Sequence, residues 1–190
     1  PFVSDSSEIK QKYKEVLTNY EIEWEEKHHS IDKLLQCEEI VKSPGIPNGI
    51  ELIQNIKKKG IKVISEIEFA YRFSTAFHIG ITGSNGKTTT SYLLYHILQK
   101  AGLNVGLAGN VGKSFAEQVA NENFEYYVLE ISSFQLDDID TFQADIGIIL
   151  NITPDHLDRY EYDIEKYVAA KFRMITNSTN QTFFIYNQDD

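Results

Sequence analysis

The strongest constraint on the fold is one continuous run near the middle of the chain. Residues 77–82 form an apolar stretch of strand type. Gly83-Ser84-Asn85-Gly86-Lys87-Thr88-Thr89-Thr90 follows, and residues 88–101 carry a helical pattern stopped by Gly102. Strand, glycine-rich turn, Lys-Thr and helix make the layout of a phosphate-binding loop. Glycines let main-chain N–H groups approach phosphate oxygens, Lys87 offers an ammonium, and Thr88 offers a hydroxyl to a metal ion. The usual G-x-x-x-x-G-K-[ST] spacing is not met. Ile81 stands where the first glycine belongs, and Gly83 lies three residues before Gly86. The loop is therefore a variant, with Gly83, Ser84, Asn85, Gly86, Lys87, Thr88 and Thr89 as candidate nucleotide contacts.

Around this loop, strand-like and helix-like segments alternate. Residues 2–3 read as a strand and 7–17 as a helix that Ser6 or Ser7 could cap. Residues 20–24 and 39–41 read as strands, with a turn at Ser43-Pro44-Gly45. A helix over 50–59 and a strand over 61–64 complete a small first region. Residues 65–76 are weakly patterned. In the helix after the loop, Leu93, Leu94, Ile97 and Leu98 are expected to face inward. Strands are expected at 104–107, 126–131 and 146–150, a helix at 164–175 and a buried strand at 183–186. This alternation predicts an α/β fold with a mainly parallel sheet covered on both faces, in which ligands sit at the carboxyl ends of strands. The expected division is a first domain over 1–65, partly Rossmann-like, and a second over 66–190 carrying the phosphate loop.

Composition narrows the function classes. With 28 acidic and 18 basic residues the chain has a formal net charge of -10, which disfavours a non-specific nucleic-acid binder. Its single cysteine, Cys37, excludes an internal disulfide and a cysteine-only zinc site. No apolar run approaches the ~20 residues of a membrane span. A cytoplasmic setting is expected, with no membrane or nucleic-acid partner. The chain opens on Pro1, and its last apolar run is followed by four residues, so a fragment of a longer protein is expected.

Two further segments fall at strand ends, and a third lies on a helix. Val128-Leu129-Glu130-Ile131-Ser132-Ser133-Phe134-Gln135 ends an apolar strand on a carboxylate, which needs a cation or a hydrogen-bond network. Asn151-Ile152-Thr153-Pro154-Asp155-His156 brings carboxylate and imidazole together, able to ligate a metal or orient a substrate. Lys171, beside Ala169 and Ala170, reads on its own as a solvated helix lysine.

Together these segments resemble the Mur ligases of peptidoglycan synthesis, most closely the branch that adds D-glutamate. The resembling residues are Thr82-Gly83-Ser84-Asn85-Gly86-Lys87-Thr88, Gly109-Asn110-Val111-Gly112, Leu129-Glu130-Ile131-Ser132-Ser133-Phe134-Gln135-Leu136, Asn151-Ile152-Thr153-Pro154-Asp155-His156-Leu157-Asp158-Arg159-Tyr160, Ala169-Ala170-Lys171-Phe172-Arg173 and Asn187-Gln188-Asp189-Asp190, with Val3-Ser4-Asp5-Ser6-Ser7 and Ser43-Pro44-Gly45 in the first region.

The resemblance implies an ATP-dependent amide-bond ligase that joins D-glutamate to UDP-N-acetylmuramoyl-L-alanine through an acyl phosphate, working as a monomer. It assigns Lys87 to the γ phosphate, Thr88 and Glu130 to one Mg²⁺, and His156 to a second. Lys171 matches the family's carbamylated lysine, grouped with the metal ligands. Asn110, Ser132 and Gln135 match contacts to the muramoyl-alanine portion. Asp5, Ser6, Ser7, Ser43 and Gly45 match part of the uridine-diphosphate pocket, although Ser7 stands where the family has a basic residue. The family has three domains and the chain matches parts of two, so the chain alone is expected not to be a competent ligase. Other readings are a different Mur-type ligase, a non-catalytic nucleotide-binding module, or an unrelated kinase or GTPase with a phosphate loop.

Overall fold

The structure, a computed structural model, describes residues 1–189; Asp190, the last residue of the terminal motif, lies outside the described residues. The chain divides into two compact units, Pro1–Ile40 with Asn48–Lys62, and Val41–Pro47 with Val63–Asp190. The expected boundary at residue 65 puts Val41–Pro47 in the first region, whereas this segment packs with the second. Among the described residues no helix is long and apolar enough to cross a membrane.

In the first unit, β1 (Phe2–Asp5) pairs in parallel with β2 (Glu23–Glu26), Phe2 opposite Glu23 and Asp5 opposite Glu26. The crossover helix α1 spans Gln11–Asn19, beginning later than residue 7. Neither Ser6 nor Ser7 caps it. The Ser7 N–H donates to Asp5 Oδ1 at 2.7 Å and the Ile9 N–H to Glu26 Oε2 at 2.8 Å, which commits residues 7–9 to non-helical partners. The expected strand at 20–24 shifts to Glu23–Glu26, because Glu21 turns with φ 53° after the helix. A short helix α2 (Ile31–Leu34) follows. β3 (Glu39–Val41) and β4 (Lys62–Ile64) form a second two-stranded sheet, and the division between units passes through both strands. Between them α3 (Glu51–Lys58) buries Ile53 and Ile56 and carries Lys57 and Lys58 in its last turn, where cations suit the helix dipole.

The first helix of the second unit is α4 (Glu66–Tyr71), in the stretch that reads as weakly patterned; Ser65 caps it by accepting the Glu68 N–H. Then come β5 (Phe77–Thr82), α5 (Lys87–Lys100), β6 (Val105–Gly109), α6 (Phe115–Asn121), β7 (Tyr126–Glu130), α7 (Ser133–Leu136), β8 (Ile146–Ile149), α8 (Ile164–Phe172) and β9 (Phe183–Tyr186). The sheet order is β6-β7-β5-β8-β9 and all four pairings are parallel. Each face has its own core. Ile81, Val105, Leu107 and Val128 pack under Leu94 and Leu98 of α5, while Phe115, Tyr127, Leu129 and Met174 pack on the other face. Side chains alternate along β7, so Glu130 emerges on the same face as Val128, the face covered by α5.

Two burial expectations fail. Leu93 and Ile97 are 58% and 52% exposed, because the sheet accepts the Leu94–Leu98 column of α5. The last strand is an edge: Phe183, Ile185 and Tyr186 are exposed. The helix expected at 164–175 closes at Phe172 and passes into a 3-10 turn, Arg173–Ile175.

Candidate active site

The phosphate loop leaves the carboxyl end of β5, and α5 starts at Lys87 behind Gly86. The first N–H groups of a helix have no partner within it, so this end is a natural anion site. Lys87 Nζ donates to Gly83 O at 2.8 Å and to Ser84 O at 2.9 Å, folding the ammonium over the loop. Thr88 and Thr89 occupy the exposed first turn.

Next to this loop the ends of β6 and β7 come together. Gly109 has φ +98°, and a side chain there would collide with the Glu130 carbonyl. Its absence lets the Asn110 N–H donate to Glu130 O at 2.8 Å and Asn110 Nδ2 to Glu130 Oε1 at 2.9 Å. Glu130 is 1% exposed, and its other oxygen, Oε2, is buried without a hydrogen-bond partner. A carboxylate left half-satisfied in that way calls for a cation.

Lys171 departs from the local reading of a solvated helix lysine. It is 2% exposed, lies 4.5 Å from the Tyr167 ring centre, and donates from Nζ to Gly83 O at 2.8 Å. Burial, then the nearby Lys87 ammonium, push its pKa down to about 8 against the pull of Asp155. Two ammonium groups therefore converge on one carbonyl of the phosphate loop.

The Asp-His segment runs on from β8. His156 holds a left-handed backbone (φ 49°), its Nε2 lies 3.5 Å from Asp155 Oδ2, and its ring packs tilted against Phe134 at 5.5 Å. Arg159 stacks over the Phe134 ring at 4.3 Å and donates to Gly45 O at 3.3 Å and Pro44 O at 3.2 Å. Lys42, buried and paired with Asp138 at 2.9 Å, donates to Ile46 O at 2.7 Å and holds the other side of the same turn.

These elements enclose a cavity of about 280 Å³ within the second unit. Of the residues singled out from sequence, Gly45, Lys87, Asn110, Ser132, His156 and Lys171 line it together, and Asp155 joins them. Ser43 is exposed and outside its wall, and Asp5 at the end of β1, with Ser6 and Ser7 in the bend after it, is exposed in the first unit. Gln135 is outside the wall as well. It accepts the Ser132 N–H at 2.9 Å while its own N–H meets Ser132 Oγ at 3.3 Å, which makes it the partner in a helix capping box. Sequence reasoning did not find Tyr167. Its hydroxyl lies 3.0 Å from Ser84 Oγ and its ring lines the cavity. The available signal was its place one turn before Lys171 on the same helix face.

The donor set suits a hard divalent cation. Glu130 Oε2 is an unsatisfied buried oxygen, and Thr88 carries a hydroxyl in the first turn of α5. Among the described residues no three His, Cys, Asp or Glu side chains form a metal cage. Mg²⁺ does not require one, since it takes a carboxylate or two and fills its shell with phosphate oxygens and water.

A parallel sheet bearing a glycine-lysine loop, with a polar cavity at its carboxyl edge, defines an α/β protein built to handle nucleotide phosphates. Residues 81–190 match the Mur ligase middle domain and residues 1–51 the MurD N-terminal domain. The chain belongs to the Mur ligase family. It is 56% identical over 189 residues to the UDP-N-acetylmuramoylalanine–D-glutamate ligase of Bacteroides fragilis, covering 100% of this chain and 43% of that protein. It is 54% identical to the ligase of the same name from Porphyromonas gingivalis, covering 100% and 42%. It is thus a homologue of these ligases that spans about 43% of their length. Among solved structures, UDP-N-acetylmuramate:L-alanyl-gamma-D-glutamyl-meso-diaminopimelate ligase from Neisseria meningitides superposes with a TM-score of 0.61 at 18% identity, over 99% of this chain and 64% of that one; that likeness concerns the fold.

Proposed function

We propose that the chain forms the nucleotide-binding and muramoyl-binding part of a cytoplasmic, monomeric, ATP-dependent ligase that joins D-glutamate to UDP-N-acetylmuramoyl-L-alanine in peptidoglycan synthesis. The observation that carries this reading is the single cavity onto which Lys87, Asn110, Ser132, His156 and Lys171 converge at the carboxyl edge of the sheet. The family and the names of the relatives supply the substrates.

In this reading the N–H groups at the start of α5 and the Lys87 ammonium bind the ATP phosphates and hold the γ phosphate in line with the substrate carboxylate. A carboxylate oxygen of the alanyl group attacks the γ phosphorus, the bond to the β-phosphate oxygen breaks, and ADP leaves. The amine of D-glutamate then attacks the acyl carbon, the carbon–oxygen bond to phosphate breaks, and the amine gives up a proton. Asn110 and Ser132 orient the muramoyl-alanine arm. Gln135 acts on it indirectly, through Ser132. Asp5, Ser6, Ser7, Ser43 and Gly45 are assigned to the uridine diphosphate.

Thr88 and Glu130 would hold one Mg²⁺, and His156 with carbamylated Lys171 a second; bound there, the ions would screen the phosphate charge. Lys171 is suited to carbamylation. A pKa of about 8 leaves a sizeable neutral fraction near pH 7.5, and a neutral Nζ adds to CO₂ with release of one proton.

Phosphate release by the full-length ligase tests the reading. It should require D-glutamate together with the muramoyl substrate. Lys87→Ala should lower kcat/KM at least about 100-fold, as for the loss of a charged transition-state donor. Near-normal turnover of that variant would remove Lys87 from the site.

A further inference from the structure

We propose that Asn151, seconded by Thr153, is the positioning residue of the phosphate loop, an inference that rests on the nucleotide-binding reading above. The observation is the shortened glycine spacing. Ile81 stands in place of a first glycine and is committed to β5, opposite Glu130 on one side and Ile148 on the other. The free loop therefore begins only at Gly83. So short a turn offers the N–H groups of Ser84 and Asn85 no acceptor within the loop; Ser84 is buried, where such a group needs a partner, while Asn85 is exposed.

The segment after β8 supplies those partners. The Ser84 N–H donates to Asn151 O at 2.9 Å and the Asn85 N–H to Asn151 Oδ1 at 2.8 Å. Asn151 Nδ2 in turn donates to Asn85 O at 3.0 Å. One side-chain amide thus satisfies both main-chain groups of Asn85, as a neighbouring strand would, and its orientation is fixed by having one acceptor and one donor to match. Thr153 adds a second tie. Its N–H donates to Ser84 Oγ at 2.9 Å, Ser84 Oγ donates to Thr153 O at 2.8 Å, and Asn85 Nδ2 reaches Thr153 Oγ1 at 3.2 Å. Gly83 makes room for this approach, since a Cβ there would lie 3.1 Å from Leu150 Cβ and 3.3 Å from Asn151 O.

Two consequences follow for the site. The N–H groups of Ser84 and Asn85 are turned to Asn151, so phosphate is left to Lys87 and the N–H groups that open α5. The brace also belongs to the stretch that continues into Asp155 and His156, so the phosphate loop and the Asp-His segment are fixed together.

Steady-state kinetics of the full-length ligase test the role. Asn151→Ala should raise KM for ATP about tenfold or more, the cost of two lost hydrogen bonds, and leave KM for UDP-N-acetylmuramoyl-L-alanine within about threefold. Thr153→Val should show a smaller rise that Thr153→Ser restores, and this pair carries the test if Asn151→Ala does not fold. Amide hydrogen exchange at Ser84 and Asn85 should quicken in Asn151→Ala. An unchanged KM for ATP, or equal rises for both substrates, would overturn the proposal. If the wild-type protein ligates no amino acid, the ligase reading fails by itself. Calorimetric titration with Mg-ATP then decides the role of Asn151: weaker binding by the variant supports it and equal binding overturns it.

Discussion

His78 carries an imidazole into the aromatic face of the sheet, stacked on Tyr127 at 6.3 Å and edge-on to Phe115 at 5.8 Å, with Nε2 2.8 Å from Ser74 Oγ. Burial lowers its pKa from 6.5 to about 4, although Asp145 pulls the other way. Between those two pH values the unfolded chain binds more protons than the folded one. The contribution of a neutral His78 is therefore complete above pH 6.5 and drains away as pH falls towards 4. Urea unfolding at pH 7.5 and pH 5 should show His78→Gln losing less stability on acidification than the wild type, by on the order of 1 to 2 kcal/mol. Equal losses would contradict a buried neutral imidazole. At this scale the sequence is least legible. Lys171 looks like any helix lysine until the fold brings it to Gly83, 88 residues away in the chain; the burial that sets its chemistry is a tertiary property. Gln135 is the opposite case, because the Ser132-x-x-Gln135 spacing of a capping box was there to read.

Three of the elements missed from sequence share that same signal; α2, whose preceding Ser30 makes no side-chain cap, does not. α4, α6 and α7 are each preceded by a serine that caps them, Ser65, Ser114 and Ser132, with Glu68, Glu117 and Gln135 three residues on. All three are seven residues or fewer, too short for a hydrophobic period to stand out, and the caps were the better guide. The long elements were read from period, and the five strands of the second unit fall where apolar runs predict them. Period says less about which column of a wide apolar stripe is used. α5 offers Leu93–Ile97 and Leu94–Leu98 side by side, and the second packs, half-buried, against the sheet while the first is exposed. Leu93→Gln should therefore change unfolding free energy by no more than about 0.5 kcal/mol. Leu98→Ala should cost about 2 kcal/mol through lost packing. Equal costs, measured by denaturant titration, would reverse the assignment of faces.

For the whole molecule, the order of strands explains why the site lies where it does. In β6-β7-β5-β8-β9 the phosphate loop leaves the central strand, and the segments after β6, β7 and β8 emerge on either side of it at the same edge. Parallel alternation was legible, and it placed the phosphate loop and the segments after β6, β7 and β8 at carboxyl ends. The neighbour order was not, since it depends on long-range pairing that a linear pattern does not encode. Least legible is the part played by Asp5–Ser7, which belong to the first unit and are not among the residues lining the cavity of the second. The central claim is that this edge transfers phosphate to a carboxylate and then exchanges it for an amine. The most direct measurement uses the full-length ligase with ATP, D-glutamate and UDP-N-acetylmuramoyl-L-alanine carrying ¹⁸O in both oxygens of the alanyl carboxylate. Passage through an acyl phosphate predicts one ¹⁸O in each phosphate released, and phosphate free of label during amide formation would contradict it.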